Sequence, residues 1–244
     1  MFGVGVPPRE AAAMVVCDLS RGGAVLLGRR NPALPFMGGH HAFLGGSLVP
    51  DDAEVPLVNG APDPFLAGAV RETFEETGML LVDGPMPRPE VLEAARAALN
   101  RGELRFSVWL RECGCRVDAA AFTAAGRWIT PSFSPIRYDT QYFLCRRTSC
   151  PPAFSGGPDD EICGLDWLTP AESLARWCDG GIRLSTPVAY VLRSLAALPP
   201  EAALERLCRP PGVDAVRADY IEPRPGIHMI PLRTQTLPPA THTN

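Results

Sequence analysis

The stretch from Asp63 to Gly78, DPFLAGAVRETFEETG, constrains this chain more than any other segment. Asp63 offers a side-chain oxygen to free helix amides, and proline at the next position is pre-set for a first helical turn. Gly78 can turn left-handed and end the helix. The sequence therefore predicts a helix over residues 64–77. On it Ala67, Val70 and Phe74 form an apolar stripe. Glu72, Glu75 and Glu76, spaced by three and four, share another face. Three like charges on one face repel, so the face costs stability unless a cation meets it. By itself such a trio fits a solvated acidic surface; as a ligand set it fits a hard divalent cation such as Mg²⁺ or Mn²⁺. Arg71, four residues before Glu75, can brace the cluster.

Around this helix the pattern alternates. Residues 11–19 and 24–27 are two apolar runs across a glycine turn and predict a hairpin. Residues 31–42 carry loop chemistry, 43–49 a strand with a diglycine, and 50–63 a Pro- and Asp-rich surface insertion. Helical spacing returns over 89–112, with a break at Asn100-Arg101-Gly102. Strands are predicted at 128–131, 138–147 and 162–168, and helices from Thr169-Pro170, over 187–198 and over 201–207. Strands, a helix, an all-helical insertion, strands and helices in that order predict an α/β sandwich. From Pro210 onward proline rises and periodicity fades.

Composition sets the outer limits. The chain has 244 residues, a net charge of -4, 46% hydrophobic and 20% charged residues, as in soluble globular proteins. No basic stripe supports general nucleic-acid binding. No lysine occurs, so all 23 basic residues are arginine and any side-chain cation on a phosphate is Arg or His. The 8 cysteines are scattered without a CxxC pair and read as reduced thiols in a cytoplasm. No apolar run approaches the roughly 18 residues of a membrane span, and the N-terminus lacks a signal-peptide pattern.

The string Arg71-Glu72-x-x-Glu75-Glu76-x-Gly78 resembles the core of the Nudix box, G-x5-E-x7-R-E-U-x-E-E-x-G-U with U aliphatic. Asp63 keeps the x7 spacing before Arg71. Asp52 keeps the x5 spacing after Gly46. The box thus reads as interrupted by about eleven residues between glycine loop and helix, and Thr73 stands where an aliphatic residue is preferred. Three more segments resemble the coenzyme A diphosphatase-like branch of the Nudix hydrolases. They are Phe36-Met37-Gly38 through Phe43-Leu44-Gly45-Gly46 (with Leu44 where proline is usual), Arg137-Tyr138-Asp139-Thr140, and Trp167-Leu168-Thr169-Pro170-Ala171-Glu172.

The resemblance implies a Nudix α/β/α sandwich with a mixed sheet and a helical insertion. The domain would span 9–210, with insertions near 50–62 and 87–125, and 211–244 would be a Pro-rich tail or a linker. The implied activity is divalent-metal-dependent hydrolysis of a diphosphate linkage in a nucleoside diphosphate derivative, with coenzyme A or acyl-coenzyme A as named substrates. The alternative is a non-catalytic Nudix-fold module that binds a nucleotide or regulates. A third reading is a helical scaffold with an acidic face.

By the same resemblance Glu72, Glu75, Glu76 and the Gly46 carbonyl hold Mg²⁺ or Mn²⁺, and Arg71 orients the carboxylates. Glu72 is the leading general base, and Glu161, or Asp160 beside it, is an added ligand. Arg29, Arg30 and His41, with neighbouring His40, would contact substrate. Asp139 would orient, and Arg137 completes the cations to test. Residues 230–233 and 237–244 resemble the opening strand of a metallo-β-lactamase-fold domain, implying a fused or neighbouring domain of that kind. No HxHxDH motif is present, so no such activity is implied. A Pro-rich disordered tail is the equal alternative.

Overall fold

The computed structural model describes residues 6–130, 134–147, 156–157 and 160–196, and the backbone of 215–217. In chain order the strands are β1 (Arg9–Asp18), β2 (Ala24–Arg30), β3 (His41–Ala42), β4 (Leu44–Ser47), β5 (Leu57–Val58), β6 (Val117–Asp118), β7 (Phe122–Ile129), β8 (Tyr138–Arg147), β9 (Ile162–Leu168) and β10 (Ala215–Arg217). The helices are α1 (Pro64–Thr77), α2 (Pro89–Asn100), α3 (Phe106–Glu112), α4 (Pro170–Cys178) and α5 (Thr186–Ala196).

The main sheet is mixed. β1 runs antiparallel to β2 and β4 and parallel to β8. β7 is antiparallel to β8, β9 to β2, and β10 joins the β7 edge in parallel. Alternate residues of β1 serve opposite faces, as the period of two requires. Ala12, Met14 and Val16 pack with Leu66, Val70 and Phe74 of α1. Ala13, Val15 and Cys17 pack with Val188, Val191 and Leu192 of α5. The expected α/β/α sandwich is therefore observed.

The hairpin, the α1 limits and the break between α2 and α3 follow the sequence reading. Asp63 caps α1 by accepting from Phe65 N at 3.0 Å and Leu66 N at 3.1 Å, and Gly78 ends it at φ 72°. Two details differ. The insertion after α1 is not all helical, because β6 pairs with β5 in a small parallel sheet and β7 begins at Phe122. Strands of two residues are too short to carry a periodicity. Nor is the 50–62 stretch purely surface: Pro50–Glu54 forms a 3-10 turn whose Asp52 is 2% exposed. An ion pair, invisible to hydropathy, draws it inward. The expected 201–207 helix and the segments of 230–244 lie outside the described residues.

Candidate metal and phosphate site

Two adjacent glycines bring β4 against both β1 and α1. A side chain at Gly45 would collide with the β1 backbone, its Cβ falling 2.2 Å from Ala12 O. A Cβ at Gly46 would lie 2.6 Å from Glu72 Oε1 and 2.7 Å from Oε2. Only a residue without a side chain lets the Glu72 carboxylate sit on this strand. Gly45 N donates to Glu76 Oε2 at 3.0 Å.

Arg71 is the hub, 5% exposed. Its Nε and Nη2 donate to Asp52 Oδ1 and Oδ2 at 2.8 and 3.1 Å, the two-pronged geometry that favours arginine over lysine. Its Nη1 donates to Glu72 Oε1 at 2.9 Å and Glu75 Oε2 at 3.0 Å, and Nη2 also reaches Ser47 O at 3.0 Å. Both aspartates that the spacing singles out are thereby placed. Asp52 meets Arg71; Asp63 caps the helix.

All three glutamate carboxyls are raised above their ordinary value, with burial the first cause in each. Burial pushes the Glu72 carboxyl up to about 7, with Arg71 opposing and Glu75 adding to the rise. Burial raises Glu75 against the pull of Arg71. Glu76 is raised well above its ordinary value by burial, then by Glu72 and Glu161. Three oxygen donors with raised pKa match what a hard cation relieves. Among the described residues no three His, Cys, Asp or Glu side chains converge closely enough to enclose an ion as they stand. The cause is visible: Arg71 holds Glu72 and Glu75, and Gly45 holds Glu76. Donor chemistry fits the cation; the present rotamers are those of an arginine-braced cluster.

Glu72, Gly45 and Gly46 line a cavity of about 420 Å³ that Arg30, His41 and Glu161 also line. Phe36, Trp128 and Tyr138 form part of its wall, with Phe36 and Tyr138 ring centres 5.5 Å apart. Arg30 Nη1 donates to Glu161 Oε1 at 2.7 Å and Nη2 to Phe36 O at 3.3 Å. His41 is 6% exposed, its Nε2 lies 3.1 Å from Asp166 Oδ2, and burial lowers its pKa despite that carboxylate. His40 lines the cavity too.

The structure does not bring every singled-out residue there. Arg29 is exposed and lies beside Gly164, because neighbouring strand residues face opposite ways. Asp160 is turned onto Gly157 N at 2.7 Å. Asp139 pairs with Arg127 across β7 and β8, with Nε to Oδ1 at 2.7 Å. Arg137 is tied to Thr130 O and Val6 O.

A family model described as the NUDT19 Nudix domain matches residues 62–195. The chain belongs to this Nudix family. It is 29% identical over 193 residues to the human protein named acyl-coenzyme A diphosphatase NUDT19, covering 72% of this chain and 48% of that one. To the chicken protein of the same name it is 32% identical over 173 residues, covering 61% and 46%. The chain thus spans about half the length of these relatives. The crystal structure of a NUDIX hydrolase from Alicyclobacillus acidocaldarius superposes with a TM-score of 0.70 at 30% identity, covering 82% of this chain and 96% of that one.

Within this Nudix domain the sequence reading missed what the insertion does for the site. Arg96 of α2 donates to Glu75 O at 2.7 Å and Glu76 O at 3.0 Å, placing a cation on the free carbonyls of the α1 C-terminus. Phe74 stacks on Trp109 at 5.2 Å and on Phe106 at 6.0 Å. The helical spacing of 89–112 signalled the helices but not their target, since a guanidinium that caps another helix leaves no local pattern. Thr73, the departure from the aliphatic preference, is fully buried and donates to Ala69 O at 2.7 Å. Its hydroxyl is satisfied within the helix, so the core tolerates it.

Proposed function

We propose that this chain is a divalent-metal-dependent diphosphatase acting on coenzyme A or acyl-coenzyme A. The single observation that carries the reading is Glu72. It is held by Arg71, seated on Gly46, raised to about 7 by burial, and set in the wall of a cavity with aromatic sides. The human and chicken relatives, each named acyl-coenzyme A diphosphatase NUDT19, supply the substrate class.

Glu72, Glu75, Glu76 and the Gly46 carbonyl would hold the cation, Mg²⁺ or Mn²⁺, with Glu161 as an added ligand. When bound, the cation neutralises diphosphate oxygens and lowers the pKa of the attacking water. Arg71 orients Glu72 and Glu75. Glu72 accepts the proton of the water as general base. Arg30 binds the diphosphate, and His41, steadied by Asp166, contacts the substrate. The wall of Phe36, Trp128 and Tyr138 shields the reacting centre from water and receives apolar parts of the substrate.

The described cysteines are all free, which supports a reducing, cytoplasmic setting. No described helix is long and apolar enough to cross a membrane. The tail from Ile230 is proposed as the start of a metallo-β-lactamase-fold neighbour, supported by its resemblance alone.

The test is a release assay with Mg²⁺ and Mn²⁺ over coenzyme A, acyl-coenzyme A, ADP-ribose, NADH and capped dinucleotides. Coenzyme A compounds should turn over fastest, releasing adenosine 3′,5′-bisphosphate. No turnover of any panel member with either metal would overturn the proposal.

A further inference from the structure

We propose that Asp51 is a positioning residue for the carboxylate helix, coupling the seat of the insertion helix α3 to Arg71. The inference rests on the reading of Glu72 and Glu75 as catalytic carboxylates. Asp51 and Asp52 are neighbours on one 3-10 turn, yet they hold different elements. Asp52 takes both prongs of Arg71 and accepts from Val49 N at 2.9 Å. Asp51 Oδ2 accepts from Ser107 N at 2.9 Å; its Oδ1 accepts from Ser107 Oγ at 2.6 Å and Arg105 Nε at 2.8 Å.

Arg105, at the N-cap of α3, makes no side-chain cap of its own. The Asp51 carboxylate does that work from another part of the chain, satisfying a first-turn amide that the helix leaves free. Its pKa records the fit: burial alone would raise it, but the Ser107 and Arg105 bonds outweigh burial and hold it low. Ser107 is fully buried. The turn itself is closed by Asp52 N donating to Val49 O at 3.0 Å. A shift of Asp51 therefore carries Asp52 with it. Asp52 sets Arg71, and Arg71 sets Glu72 and Glu75. Ser107, Asp51, Asp52 and Arg71 form a continuous physical link from the insertion to the carboxylates.

The experiment uses the full chain carrying Asp51→Ala, Asp51→Asn or Ser107→Ala, with Glu54→Gln as control. Glu54 is the other carboxylate on Arg105, at 3.1 Å, and has no part in the chain of contacts to Arg71. Four quantities are read: kcat and KM for coenzyme A with Mn²⁺, Mn²⁺ affinity by electron paramagnetic resonance, and the midpoint of thermal unfolding. Small displacements of reacting groups cost rate steeply, so Asp51→Ala should lower kcat about tenfold with KM within about twofold. Mn²⁺ affinity should weaken about fivefold, as for removal of support behind a ligand. Asp51→Asn keeps an acceptor for the Ser107 amide and should recover kcat to within about threefold of the unaltered chain. Glu54→Gln should change neither kcat nor Mn²⁺ affinity. If Asp51→Ala does not fold, Ser107→Ala, which loses one bond of the three, should still lower kcat about two- to threefold.

Unchanged kcat and Mn²⁺ affinity in a folded Asp51→Ala or Ser107→Ala protein would overturn the inference. An unaltered chain that neither turns over coenzyme A nor binds Mn²⁺ would overturn the functional reading first, and this inference with it.

Discussion

Arg71 and Asp52, 19 residues apart in sequence, form a buried two-pronged pair at 2.8 and 3.1 Å, with the Asp52 side chain fully buried. Removing Asp52 breaks both prongs of this buried pair and leaves the guanidinium to Glu72, Glu75 and the Ser47 carbonyl. Asp52→Ala should cost about 3–5 kcal/mol of stability and a large part of turnover, because Glu72 and Glu75 lose their brace. Asp63→Ala removes only a helix cap, should cost about 0.5–2 kcal/mol, and should leave the rate of the folded enzyme intact. Urea unfolding and steady-state kinetics on the two variants separate the roles. Equal effects on turnover would contradict the assignment of Asp52 as the partner of Arg71.

Gly46→Ala puts a methyl group 2.6 Å from the Glu72 carboxylate. The carboxylate has to move. A displacement near an ångström lowers the rate by about a hundredfold, so kcat should fall by that order while the fold survives. Kinetics with Mn²⁺ in excess measure it; a fall of less than threefold would show that Glu72 needs no seat on this strand.

The α1 helix, its caps and its carboxylate face follow from local rules, and the structure agrees residue by residue. The x5 spacing from Gly46 to Asp52 was visible, but so was the x7 spacing from Asp63, and only the fold chooses between them. Contacts that cross the sheet or join the insertion to α1 have no local signature. Arg96 and Asp51 therefore read as ordinary polar residues. Arg29 and Arg30 form a matched pair in sequence; strand alternation, read against the cavity, separates them.

That separation gives a kinetic test. Arg30 lines the cavity and Arg29 does not. Arg30→Ala should raise KM for coenzyme A about tenfold, the loss of one charge-assisted contact to an anion of about 1.4 kcal/mol. Arg29→Ala should leave KM within about twofold, as a surface change does. Initial rates over a substrate series decide; a larger effect at Arg29 would place the diphosphate elsewhere.

The raised carboxyls predict a pH dependence of stability in the metal-free protein. Below the ordinary glutamate value of 4.5, folded and unfolded chains are both protonated at Glu72 and the full stability is present. As pH rises from 4.5 through about 7, the unfolded chain ionises at Glu72 while the folded one resists, so that stability is lost across this range. Glu75 and Glu76 act in the same direction. His41, with its lowered pKa, acts in the opposite sense as pH falls, but it is one group against three. Tm without metal should decline from about pH 5 to 8, less steeply in Glu72→Gln, and a divalent cation at about 100 times its Kd should restore about 2.7 kcal/mol. Scanning fluorimetry across that range would contradict the account if Tm rose throughout with the same slope in both proteins.

The most direct measurement of the central claim is release of adenosine 3′,5′-bisphosphate from coenzyme A by the unaltered chain and by Glu75→Gln. The unaltered chain should turn over with Mg²⁺ or Mn²⁺ and stop on chelation. Glu75→Gln should retain cooperative unfolding and lose at least about a hundredfold in rate, as expected when a metal-holding carboxylate becomes neutral. A rate in Glu75→Gln equal to that of the unaltered chain, or turnover undiminished by chelation, would contradict it.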